Sequence, residues 1–257
     1  MKNSIGAVAT GFAALVLLTQ VATAEAAEIK VLSANGMREV MEDLGPKFER
    51  ATSHRVNIAF ATLGVILQRV QNGETADVIA IPQQGIDRLV KDGKANAGTV
   101  TVLARSGIGM IVRKGAPKPD ISSPEALKRA LLAAKSITYL DPATGGISGA
   151  HFEKVLDRLG IAAEMKPKTL LHPNALTAGV LVANGEAEIG INLIQELITL
   201  PGIDLVGPLP DDLQNTLVFA AVVVASAKDA MVAKALIDFL RTPEAAAVIK
   251  AKGMEPG

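Results

Sequence analysis

EIKVLSANGMREVMEDLGPKFERATSHRVNIAFATLGVILQRVQNGETADVIAIP, residues 28–82, decides the fold. Residues 28–34 read as a strand, and Met37, Val40, Met41, Leu44 and Phe48 then recur on one helical face. Gly45-Pro46 is expected to kink or interrupt that helix. A second strand follows at 55–61, a short helix at 65–70, and a third strand at 76–82. This β-α-β-α-β order, with strands almost continuous in Val, Ile and Ala, predicts a parallel sheet covered on both faces.

The pattern continues as two α/β units. A long β run at 99–115, interrupted at Ser106-Gly107, breaks the alternation and suits a crossing between lobes. Ser123-Pro124 opens a helix, 136–140 is a strand, and 168–171 and 188–194 repeat it with helices between. Residues 215–227 form a second long β run, and Thr242-Pro243 opens the last helix. The predicted architecture is α/β and two-lobed, each lobe a mixed sheet with flanking helices, with a cleft at a two-strand hinge. Residues 28–104 plus 215–257 form one lobe and 105–214 the other.

Residues 1–24 stand outside this pattern. Lys2, an apolar run from Ile5 to Val21, and Ala22-Thr23-Ala24 read as a cleaved secretory signal peptide. The chain has 26 basic and 26 acidic residues, with no clustered basic excess, so no nucleic-acid partner is expected. It has no Cys, which removes disulfides, thiolate metal sites and thiol nucleophiles. An exported chain without disulfides suits a bacterial periplasm. The expected state is a monomer.

In a parallel α/β sheet, ligands bind where strands give way to helix starts. Those positions are Ser33, Asn35 and Gly36; Thr62 and Leu63; Arg105 and Ser106; Thr144, Gly145, Gly146 and Ser148; and Asn192 to Glu196. The 141–152 loop, DPATGGISGAHF, lacks the Gly-Lys-Ser/Thr of a phosphate loop and the last Gly of a nucleophile elbow. His54, His151 and His172 have no metal-ligand spacing, so no metal and no cofactor are expected. What remains is a set of uncharged donors at helix starts, chemistry that suits a small anion. Arg105, alone in an apolar run, suits a bidentate carboxylate contact, or a salt bridge beside the hinge.

Three stretches, VLSANGMREVMEDLGPKFERATSHRV, ADVIAIP and DPATGGISGAHFEKVLDRLGI, resemble the periplasmic molybdate-binding-protein family of ABC-importer solute-binding proteins. The resemblance implies anion capture in a closing cleft and delivery to an inner-membrane permease. Ser33 matches that family's first turn, but Asn35-Gly36 and Ala61-Thr62-Leu63-Gly64 depart from its hydroxyl-rich turns, and Asn192 stands in the region of its donor tyrosine. With these departures, an organic carboxylate is favoured over molybdate as the ligand. A divergent branch of the family is similar to aconitate isomerase, a cofactor-free isomerase of an unsaturated tricarboxylate. For that chemistry Glu196 and His151 are the titratable candidates.

Overall fold

The computed structural model describes residues 26–257 except Gly145 and Thr199. The expected signal peptide and Gly145 therefore lie outside the described residues. The chain first lays down β1 (Glu28–Ala34), α1 (Arg38–Thr52), β2 (Arg55–Ala61), α2 (Leu63–Gln71), β3 (Val78–Pro82), α3 (Gln83–Lys91) and β4 (Thr101–Ser106). It then builds a second unit from β5 (Ile108–Arg113), α4 (Pro124–Ala133), β6 (Ile137–Leu140), α5 (Ile147–Arg158), α6 (Ala162–Met165), β7 (Thr169–His172), α7 (Ala175–Asn184), β8 (Ile189–Leu193), α8 (Ile194–Leu197) and β9 (Ile203–Pro208). It finishes with β10 (Leu217–Val223), α9 (Ala230–Phe239), α10 (Pro243–Ala251) and β11 (Glu255–Pro256).

Two mixed sheets result. The first has the order β11-β4-β10-β3-β1-β2 and the second β7-β6-β8-β5-β9. In the first, β1 runs parallel to β2 and β3, whereas β10 is antiparallel to β3 and β4. In the second, β6 is parallel to β7 and β8, and β5 is antiparallel to β8 and β9. β3, in mid-sheet, is buried along its whole length, while β2 at the edge is half exposed.

The long β run divides at Gly107, with β4 in one sheet and β5 in the other. The chain returns through residues 209–216, just before β10, and β10 itself lies wholly in the first sheet. β9, with its Ile-Asp-Leu-Val-Gly-Pro sequence, has no counterpart in the sequence pattern, because two polar or small residues dilute its alternation.

α1 corrects one expectation. It continues unbroken through Gly45-Pro46. Pro46 lies on the exposed face, so its ring and the carbonyl it leaves unpaired face water. Gly45 lies against Ile58 of β2, where an added Cβ would come within 3.3 Å. The apolar face read from the sequence is the buried one: Met37, Met41, Leu44 and Phe48 are all fully enclosed.

α5 meets β6 still more closely. A Cβ built on Gly149 would fall 1.8 Å from the Leu140 carbonyl oxygen, and one on Gly146 would fall 2.1 Å from Leu140 Cδ2. These two glycines let the start of α5 rest directly on the end of its strand. Helix propensity alone predicts that Gly149→Ala stabilises the protein by about 0.5–1 kcal/mol. Overpacking against backbone predicts the opposite, a net loss of about 1–3 kcal/mol. We expect Tm in thermal unfolding to fall by roughly 2–12 °C for Gly149→Ala. An unchanged or raised Tm would contradict the packing argument.

Candidate functional site

A cavity lies between the two sheets, at the carboxyl ends of their parallel strands. The first sheet contributes Ala34 at the end of β1 with Asn35 and Gly36 beyond it, Ala61 at the end of β2 with Thr62 and Leu63 beyond it, and Pro82 at the end of β3. The second contributes Leu140 at the end of β6, Gly146, Ile147 and Ser148 at the start of α5, Asn174, Leu193 and Glu196. Leu217 and Phe219 of β10 complete the wall.

Two helix starts face this space with their first turns uncapped by any side chain. Thr62 precedes α2 and Gly146 precedes α5, and neither helix has a side-chain cap hydrogen bond. Their first N–H groups lack intrahelical partners and carry the positive end of the helix dipole. Thr62 instead donates its hydroxyl to the Thr144 carbonyl oxygen at 3.0 Å, joining the two lobes across the mouth. Ser148 donates to Asn192 Oδ1 at 2.7 Å, and both side chains are buried.

The structure brings together only part of the set read from the sequence. Asn35, Gly36, Thr62, Leu63, Gly146, Ser148 and Glu196 line the cavity. Asn192 stands one layer behind, bonded to Ser148 and to Glu196. Thr144 turns its own hydroxyl back onto the Asp141 carbonyl, so its main chain and not its side chain reaches across. Ser33 is fully buried inside the first sheet, opposite Phe60 and Ala80, and its hydroxyl reaches only the adjoining Ala34 carbonyl.

Arg105 and Ser106 also depart from the reading. Arg105 pairs with Glu255 of β11, and its guanidinium lies 3.5 Å from the Pro256 carbonyl, away from the cavity lining. The terminal strand, invisible to helical or alternating patterns at two residues, is what occupies it. Ser106 is buried at the crossing and donates to Gln195 Oε1. His151 donates from Nε2 to the Leu213 carbonyl at 2.8 Å and lines a neighbouring hollow that meets the cavity only at Leu63, Gly146 and Ile147.

Sequence reasoning missed Asn174 and Arg38, and held Gln195 only as part of the 192–196 strand end. Gln195 takes the Ser106 hydroxyl and donates from Nε2 to the Gly36 carbonyl at 3.2 Å, tying α8 to the turn after β1. Gly36 is needed there: a Cβ would lie 2.8 Å from Phe219 Cζ and 3.0 Å from Gln195 Nε2. Asn174 caps α7 by accepting from Thr177 N–H, and its carbonyl accepts from His172 Nδ1 at 2.6 Å. Burial holds that histidine's pKa below the usual range, favouring the neutral ring. Arg38, the first residue of α1, stacks its guanidinium carbon 4.2 Å from the Phe60 ring centroid. Its signal was its place, three residues after Asn35.

Glu196 is the titratable group of the cavity. It is 8% exposed, and burial pushes its pKa up to about 7, against a hydrogen bond from Asn192 and the charge of Arg38, which both pull it down. A carboxyl balanced near neutrality serves either as a hydrogen-bond donor or as a base. Among the described residues, no group of three His, Cys, Asp or Glu could hold a metal ion.

The family model for bacterial extracellular solute-binding proteins matches residues 29–255. The chain belongs to that family. Among its relatives, it is 34% identical to an aconitate isomerase from Pseudomonas sp over 234 residues, covering 89% of this chain and 87% of that protein. It is 30% identical to the molybdate-binding protein ModA of Azotobacter vinelandii over 242 residues, covering 90% of each chain. The solved periplasmic molybdate-binding protein of Azotobacter vinelandii superposes with a TM-score of 0.71 at 21% identity, covering 88% of this chain and 98% of that one. This solute-binding fold is two-lobed, and the cavity lies between its two sheets.

A buried acid with a raised pKa makes stability depend on pH. Glu196 ionises at about 4.5 in the unfolded chain and at about 7 in the fold, so its full contribution is present below 4.5 and is lost as pH rises to about 7. The loss is about 3 kcal/mol. Between pH 4.5 and 7.5, the wild-type Tm should carry a downward component that Glu196→Gln removes. Parallel Tm profiles for the two proteins would contradict the buried acid.

Proposed function

We propose that this chain is a periplasmic binding protein that captures a small organic carboxylate, in preference to molybdate, and delivers it to the permease of an ABC importer. Residues 1–24 would direct its export. The lobes, 28–104 with 215–257 and 105–214, would close about the two connections between the sheets. The observation that supports a carboxylate is the two-sided character of the cavity. One side offers main-chain N–H groups at the starts of α2 and α5. The rest is hydrocarbon, from Leu63, Ile147, Leu193, Leu217 and Phe219.

A tetrahedral oxyanion is polar on every side and needs donors all round. Here the two hydroxyls of the lining, Thr62 and Ser148, already donate to protein acceptors. A carboxylate is polar at one end only, and its carbon body fits the apolar wall. Glu196 adds a third donor while it is protonated.

Thermal-shift and calorimetric titration with trans-aconitate, citrate, molybdate and sulfate tests this reading. The carboxylates should bind and the inorganic oxyanions should not. Carboxylate affinity should fall as pH rises through about 7, where Glu196 ionises, and Glu196→Gln should bind with little dependence on pH. Tight molybdate binding without carboxylate binding would refute the proposal.

A second reading is favoured by Glu196 itself. Ionised, it is a largely buried base in the cavity wall, and removal of an allylic proton from an unsaturated tricarboxylate followed by its return at another carbon is a cofactor-free isomerisation. Such turnover should rise with pH through about 7 and be lost in Glu196→Gln. Purified protein incubated with trans-aconitate in deuterated buffer should yield cis-aconitate with solvent exchange. Absence of both product and exchange removes this reading and leaves capture standing.

A further inference from the structure

Beyond the mouth of the cavity lies a second hollow, walled by Arg38, Glu39 and Leu176, and it shares Asn35, Asn174 and Glu196 with the first. The two hollows therefore adjoin at these three residues. The inner one offers main-chain amides, and the outer one a guanidinium. We infer that Arg38 receives a second carboxylate of the ligand, so that the solute is a di- or tricarboxylate spanning both hollows. This inference rests on the carboxylate reading above.

Arg38 is held in place from two sides. Its guanidinium carbon stacks 4.2 Å from the Phe60 ring centroid, and Nη2 lies 3.4 Å from Asn35 Oδ1. Nη1 lies 3.2 Å from Glu42, in an exposed i,i+4 pair. Such a pair is a weak competitor for an arriving carboxylate. Guanidinium presents five donors in a planar fork, so these contacts leave capacity for a bidentate partner. The other acid of the outer hollow, Glu39, is offset by Lys252 at 3.5 Å. With Glu42 beside Arg38 and Lys252 beside Glu39 the four charges balance, and a dianionic or trianionic solute would meet the Arg38 guanidinium as the cation lining this hollow. A monocarboxylate or a compact oxyanion would be too short to use both ends.

Thermal-shift titrations of the wild type, Arg38→Met and Arg38→Lys with trans-aconitate, fumarate and crotonate distinguish these ligands, with circular dichroism checking the fold of each variant. Arg38→Met should weaken trans-aconitate and fumarate by roughly tenfold or more and change crotonate by less than about twofold. Arg38→Lys should recover part of the loss, because ammonium keeps the charge without the fork. Equal weakening of all three ligands, or none, overturns the inference while leaving carboxylate capture in place. A wild-type protein that binds none of the three removes the carboxylate reading and this inference together.

Discussion

A single hydrogen bond, from the Thr62 hydroxyl to the Thr144 carbonyl, marks the constraint on which the site depends. It joins the start of a helix in one lobe to the loop before a helix in the other. Each helix follows a parallel strand, so each start lies at a strand's carboxyl end. Brought together, the two sets of unpaired N–H groups enclose one space instead of facing water separately. Gln195 repeats the same tie deeper in the cleft, between α8 and the Gly36 carbonyl. Neither tie is strong alone, since a net hydrogen bond contributes about 1 kcal/mol. A closure of that strength is reversible, as capture and release require.

Close approach makes those ties feasible. Gly146 and Gly149 bring α5 onto Leu140, and Gly36 brings the turn after β1 onto Phe219 and Gln195. Side chains at these positions would hold the helix starts away from the cavity. The floor beneath is apolar and fully packed, with Leu32, Ile79 and Ile81 at no measurable exposure. Within such surroundings an acid is displaced toward its neutral form, which accounts for Glu196. Asn192 supplies the compensating hydrogen bond, and Arg38 the compensating charge. A stable protein retains a buried carboxyl of this kind at a cost to its stability near neutral pH. That cost is consistent with a role toward a ligand, since an apolar residue there would pack without it.

The carboxylate reading rests on the make-up of the cavity. Its hydroxyls are few and already engaged, and its wall is largely hydrocarbon. The fold by itself does not fix the ligand.

The sequence alone determined the secondary-structure order apart from β9 and β11, the buried face of α1, the crossing at Gly107 and the strand ends that line the cavity. These follow from local periodicity and from helix-start chemistry, both written in neighbouring residues. Asn35, Thr62, Ser148 and Glu196 were legible for that reason. Only the tertiary structure decided that Arg105 lies away from the cavity while Arg38 lines the hollow beside it, because the two-residue strand β11 comes back from the far end of the chain to lie against Arg105. The same holds for Ser33, which pairing with Phe60 and Ala80 encloses, and for Gln195, which reaches from α8 to Ser106 and Gly36 on the first sheet's side. Which way a side chain faces, and what it meets there, depends on residues distant in sequence, and no local pattern records that pairing.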